Sequence, residues 1–170
     1  MRALLAVTCF ALFAVPAFAQ TAPAPTPPKM FFAGTDLPAA IAKLKAARVG
    51  DQPLVLEPRL LSLPPYRVQL EYRPGTAPAT VHEKDLEMMY ILEGAGTITT
   101  GGKLVDEKRT NADNLAGSSI TGGKPQAVAA GDVLLIPENT PHQVAPNSAT
   151  PIVILAVHMP RPAQGGWSWP

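Results

Sequence analysis

TVHEKDLEMMYILEG (residues 80–94) and GDVLLIPENTPH (residues 131–142) are the two stretches whose reading decides the fold of this chain. Successive side chains of a strand point to opposite faces. Thr80 and His82 therefore share one face of a first strand, and Glu87, Met89 and Ile91 share one face of the next. With those faces inward, the imidazoles of His82 and His142 and the carboxylate of Glu87 converge. Two imidazoles and one carboxylate hold Fe(II) or a similar divalent ion while leaving positions open for a substrate or oxygen, and they suit Zn, Mn and Ni equally. Each residue alone has a plainer reading. A barrel histidine can hydrogen-bond a neighbouring strand, and Glu87 can pair with a nearby cation.

Outward from these stretches the chain reads as strands. Residues 66–72 alternate cleanly: Tyr66, Val68, Leu70 and Tyr72 form an apolar face, and Arg67, Gln69 and Glu71 a polar one. That period of two predicts a strand with one side on the core and the other toward water. Leu54-Val55-Leu56 and residues 79–82, 87–92, 97–100, 127–129, 133–136 and 152–158 are further strand candidates, separated by turns containing Gly, Pro and Asn. Many short strands and no long helix predict a barrel or sandwich. Residues 105–124, polar and glycine-bearing, read as a long surface excursion between two halves of the barrel. Glu83, Lys84 and Asp85 read as a solvated turn. Upstream, Asp36 can cap a helix with Pro38 in its first turn, Ile41 and Leu44 on one face and Gly50 past its end; this helix is expected outside the barrel.

The two stretches resemble the paired motifs of the cupin superfamily. The first family motif has H-x-H, three or four residues, E, six residues and G. His82 matches its second histidine, four residues before Glu87, and Gly94 follows after six more. The second has G, five residues, P-x-G, two residues and H, matched by Gly131, Pro137 and His142. Asn139 replaces the glycine, a mild change because Asn tolerates a left-handed backbone. Thr80 stands where the family has its first metal-binding histidine, Pro146 where the second motif ends in Asn, and the opening glycine is displaced to Gly75. The resemblance implies an all-β, double-stranded β-helix (jelly-roll) barrel, here with a short N-terminal helix. It also implies a divalent metal (Fe, Mn, Ni or Zn) at His82, Glu87 and His142, action on a small organic molecule, and a homodimer.

Met1–Ala19 combines Arg2, an apolar run, Pro16 and the small-residue pattern Ala17-Phe18-Ala19, and reads as a signal peptide, which predicts a periplasmic or secreted protein. Residues 20–29, rich in Pro and Ala, read as a disordered linker, residues 30–50 as a helical segment and residues 51–170 as the barrel. No apolar run reaches the roughly 20 residues of a membrane span. The single cysteine, Cys9, falls in the leader, so the mature chain has no thiol for disulfide, metal or nucleophile. The whole chain carries 14 basic and 13 acidic residues without a long block of either sign, which argues against nucleic acid as a partner. No Ser-His-Asp pattern at motif spacing supports nucleophilic catalysis. His158 lies on a strand face with Ile152, Ile154 and Ala156; it reads first as structural or rim and second as a site residue. Trp167 and Trp169 read as surface packing. Two functions stay open: a metal-dependent cupin, and a metal-free barrel that captures a small ligand with the same polar residues. A purely structural exported barrel is the third.

Overall fold

The computed structural model describes residues 27–160. The predicted leader, most of the predicted linker, and Trp167 and Trp169 lie outside those residues. Lys29, at the end of the predicted linker, exchanges two backbone hydrogen bonds with Ser62, at 2.8 and 2.9 Å.

A single 3-10 turn, Gly34–Asp36, leads into helix α1, Leu37–Ala46. Strands β1 Val55–Leu63, β2 Tyr66–Arg73, β3 Ala79–His82, β4 Asp85–Glu93 and β5 Ala95–Thr100 follow. Short strands β6 Lys103–Val105, β7 Lys108–Arg109, β8 Asn114–Gly117 and β9 Ser119–Thr121 come next. The last four are β10 Lys124–Ala129, β11 Val133–Ile136, β12 His142–Pro146 and β13 Ile152–Pro160. One sheet runs β1-β2-β13-β4-β11, and the facing sheet runs β10-β5-β12-β3-β8-β7; β6 and β9 pair separately. The strand pairings among the described residues are antiparallel throughout. No helix among the described residues is long and apolar enough to cross a membrane.

The core between the sheets holds Met89, Ile91, Ile98, Val128, Ile136, Val144, Ile152, Ile154 and Ala156. Each large aliphatic side chain there contributes roughly 1.5–3 kcal/mol by burial. A second cluster lies on the outer side of the first sheet, where Ile41 and Leu44 of α1 meet Leu60, Leu70 and Val153. The helix therefore packs outside the barrel, on the face its sequence marked. Asp36 makes no side-chain cap; it closes the 3-10 turn, its N–H donating to Ala33 O at 3.0 Å.

Two further expectations are corrected. The alternation along β2 is present, but both faces are covered. Leu70, Val68 and Tyr72 pack with the α1 cluster, while Gln69, Glu71 and Arg73 are buried on the barrel side. Those three satisfy one another: Gln69 Nε2 donates to Glu71 Oε1 at 2.6 Å, and Arg73 Nε donates to Glu71 Oε2 at 2.8 Å. Buried polar groups are tolerated when so paired. The helix takes the apolar face that would otherwise have marked the interior. The stretch 105–124 is likewise no simple excursion. It forms β7, β8 and β9, and β8 extends the second sheet by pairing with β3, His82 opposite Asn114.

Two backbone positions set the motif turns. Asn139 has φ 59°, the left-handed conformation for which Asn is suited, and its N–H donates to His82 O at 2.9 Å. Gly94 has φ 81°, and a Cβ there would stand 2.0 Å from Pro151 O.

Candidate metal centre

All three histidines of the chain meet one buried carboxylate. Glu87 projects from β4 on the face it shares with Met89 and Ile91, and all three are buried. His82 Nε2 lies 3.3 Å and His142 Nε2 3.1 Å from Glu87 Oε2. His158, from β13, places Nε2 3.7 Å from Glu87 Oε1. The rings of His82 and His142 are 5.2 Å apart between centroids. Thr80 lies opposite His142 in the β3–β12 pairing, and its side chain offers no imidazole.

The far nitrogens of two histidines are held from behind. His82 Nδ1 is hydrogen-bonded to Asn114 Oδ1, and His142 Nδ1 to the Thr140 carbonyl at 3.1 Å. A carbonyl oxygen only accepts, so Nδ1 carries the hydrogen in both rings. In a neutral ring this turns the Nε2 lone pair toward Glu87. Two lone pairs against a carboxylate repel unless a cation, proton or metal, stands among them.

The charges respond accordingly. Burial works to raise Glu87, but hydrogen bonds from His142 and His82 outweigh it and hold the carboxyl well below the usual range. Burial lowers His82, yet its hydrogen bond to Glu87 and the Glu87 charge leave it raised above 6.5. Burial pushes His158 down to about 4, with Glu87 opposing and Arg67 adding to the fall. Both nitrogens of His158 are buried without a hydrogen bond among the described residues, and Glu87 Oε2 has only the two imidazole contacts at 3.1 and 3.3 Å.

Donor chemistry and spacing fit a divalent cation. Two ligands about 2.1 Å from one ion at 90–109° stand roughly 3.0–3.4 Å apart, close to the distances from Glu87 to His82 and His142. The donor atoms that all lie within 4.8 Å of one another belong to His82, Glu87 and His158. Both predicted histidines thus contact Glu87, but the compact donor group holds His158, read first as structural, where His142 was expected.

Reading the sequence also missed the supports. Asn114 sits in a polar segment with no periodic signal. Asp85, expected in a solvated turn, begins β4 and pairs with Arg67 at 3.1 Å. The neighbouring turn residues are tied down as well, Glu83 to Arg109 at 2.6 Å and Lys84 to Asp113.

No protein-family model and no curated protein matches the chain. Solved structures do. TT1209 from Thermus thermophilus is 23% identical over 72% of this chain and 95% of its own, with a TM-score of 0.50. A protein with a double-stranded β-helix domain from Klebsiella pneumoniae is 14% identical over 68% and 84%, also at 0.50. A cupin protein from Bacteroides fragilis is 22% identical over 71% and 87%, at 0.47. At such identity the likeness is one of fold, the double-stranded β-helix; function is argued from the site.

Proposed function

We propose that this cupin-fold chain is an exported metalloprotein that binds one divalent ion through His82, Glu87 and His142 and acts on a small organic molecule. The observation that carries the reading is the pair of Nε2 atoms at 3.1 and 3.3 Å from Glu87 Oε2, each on a ring whose Nδ1 is already engaged. A bound Fe, Mn, Ni or Zn ion would supply a Lewis acid or an oxygen-binding centre at that point.

The protein's own residues prepare the site. Glu87 stays ionised and brings the negative charge a cation needs. Asn114 and the Thr140 carbonyl fix the tautomer and direction of two rings. Met89, Ile91, Ile136 and Val144 belong to the core beside the site and keep that side dry. His82 has a side chain 16% exposed, against 4% for His142 and 2% for Glu87 and His158. A small molecule therefore approaches from the His82 side. Export rests on the leader Met1–Ala19, and the final compartment is a periplasm or the exterior.

Elemental analysis of untagged protein from its native compartment tests the metal. About one equivalent is expected, and less than a tenth of that in His82→Ala and His142→Ala, as for a site that loses an inner ligand. Protein that is consistently empty, or variants that keep full occupancy, would refute the site and leave a ligand-binding barrel. Screening small organic acids and sugars against the loaded protein then tests the activity.

A further inference from the structure

Thr80 removes one imidazole from the two motifs, yet a strand outside both brings another to the same carboxylate. On β13, Ile152, Ile154, Ala156 and His158 are buried alternate residues, and His158 is the Cα partner of Glu87 on β4 and of Arg67 on β2. Opposed residues of an antiparallel pair have Cβ atoms about 4.5–5.5 Å apart on one face. Strand register alone thus delivers His158 to Glu87. Its ring meets that of His82 edge-on, with centroids 4.9 Å apart at 87°.

A purely structural role fits His158 poorly. The residue is 1% exposed, and neither ring nitrogen has a hydrogen bond among the described residues. An unpaired buried polar atom costs roughly 1–3 kcal/mol, whereas Leu would fill a core position without that cost. Behind the ring, Asp85 Oδ2 stands 3.9 Å from Nδ1, and Arg67 holds Asp85 at 3.1 Å. A carboxylate accepting a hydrogen bond from the rear nitrogen is the arrangement that orients metal-binding histidines, and Asp85, 3.9 Å away and not yet bonded, needs a short closure to supply it.

The geometry points to His158 as a further inner ligand of the metal site, replacing the imidazole absent at Thr80, with Asp85 as its positioning residue. The inference rests on the metal-binding reading above. The donors become three imidazoles and one carboxylate: His82, Glu87 and His158 already have donor atoms within 4.8 Å of one another, and His142, in contact with Glu87 but outside that group, closes in when the ion binds. This set takes the same divalent transition metals but leaves fewer open positions than three donors do.

The test is titration of Zn(II) into the whole, untagged, EDTA-stripped chain by calorimetry, with Co(II) absorption reporting the ligand field. Wild type is expected to bind one equivalent. His158→Ala is expected to lose on the order of 100-fold in affinity and to change the Co(II) bands, and Asp85→Asn to lose about 10-fold. Thr80→His in the His158→Ala background, or free imidazole added to His158→Ala, is expected to restore binding, which a merely structural histidine would not allow. Histidine-labelled wild type gives a readout that needs no variant: all three imidazoles should show metal-induced 15N shifts. Binding by His158→Ala equal to wild type, or metal shifts in only His82 and His142, overturns the proposal and leaves the three-donor site standing. A wild type that binds no metal overturns both.

Discussion

Glu87→Gln isolates the electrostatics of the site because it keeps the shape and removes the charge. In metal-free protein, Glu87 is ionised and the imidazole of His82 is raised above 6.5, so the proton that compensates Glu87 is retained more readily than in the unfolded chain. A group raised on folding contributes stability that is fully present below its unfolded value and lost as pH rises through the folded one. Glutamine removes that contribution, and burial, the largest influence on His82, is left to lower it. The sign then reverses: the variant loses stability as pH falls below 6.5, where the unfolded chain takes up a proton that the folded chain resists. At about pH 8 the cost should be only lost hydrogen bonds, on the order of 1–3 kcal/mol. Below 6.5 it should grow toward about 1.4 kcal/mol per pH unit for one proton. Urea denaturation of both metal-free proteins from about pH 8 to 5.5 measures the difference, that range lying within the span where histidine changes charge. A difference that stays flat across the range would refute the coupling of His82 to Glu87.

Four further outcomes follow from named contacts. Asn114→Ala frees His82 Nδ1 and should weaken Zn(II) binding about 10-fold with little change in fold, read by calorimetry. Gly94→Ala sets a Cβ 2.0 Å from Pro151 O and 2.7 Å from its carbonyl carbon, at φ 81°; backbone must move, and a loss of about 3 kcal/mol or more is expected in thermal or urea unfolding. Arg73→Ala leaves Glu71 buried without its guanidinium and should cost roughly 3–5 kcal/mol, whereas replacing the whole set, Gln69→Leu, Glu71→Leu and Arg73→Met, should be nearly neutral because no buried polar partner is left behind. Zn(II) at a thousand times its dissociation constant should stabilise the fold by about 4 kcal/mol over EDTA-treated protein, seen as a rise in Tm.

How far the sequence could be read depended on whether a residue's neighbours lay within its own strand. His82, Glu87 and His142 were legible because two motifs fix their spacing and strand alternation fixes their faces. Asn139 was legible for the same reason, and its φ of 59° agrees. The β2 stripe was misread because alternation separates two faces without saying which is inside. Only the arrival of α1 against Leu70 and the mutual pairing of Gln69, Glu71 and Arg73 decide that. Asn114 and His158 depend on register between distant strands, β3 with β8 and β13 with β4. Nothing local to either residue records that register.

The origin of the donors shows why a barrel suits this site. His82 and His142 come from one sheet, and Glu87 and His158 from the other. The four side chains face each other across the space that the aliphatic core fills farther along. Burial of that core brings the sheets together, but only the buried carboxylate makes the polar end of the interface tolerable, since each imidazole there must find a proton, a partner or a metal. Thr80 and His158 lie on opposite sheets, so exchanging one for the other as ligand moves an imidazole across the barrel while Glu87 stays fixed. A carboxylate reached from both sheets can accept that exchange without any change in strand order. Threonine at position 80 is therefore compatible with the proposed metal site, because the requirement is for imidazoles around Glu87 and not for their place in the sequence.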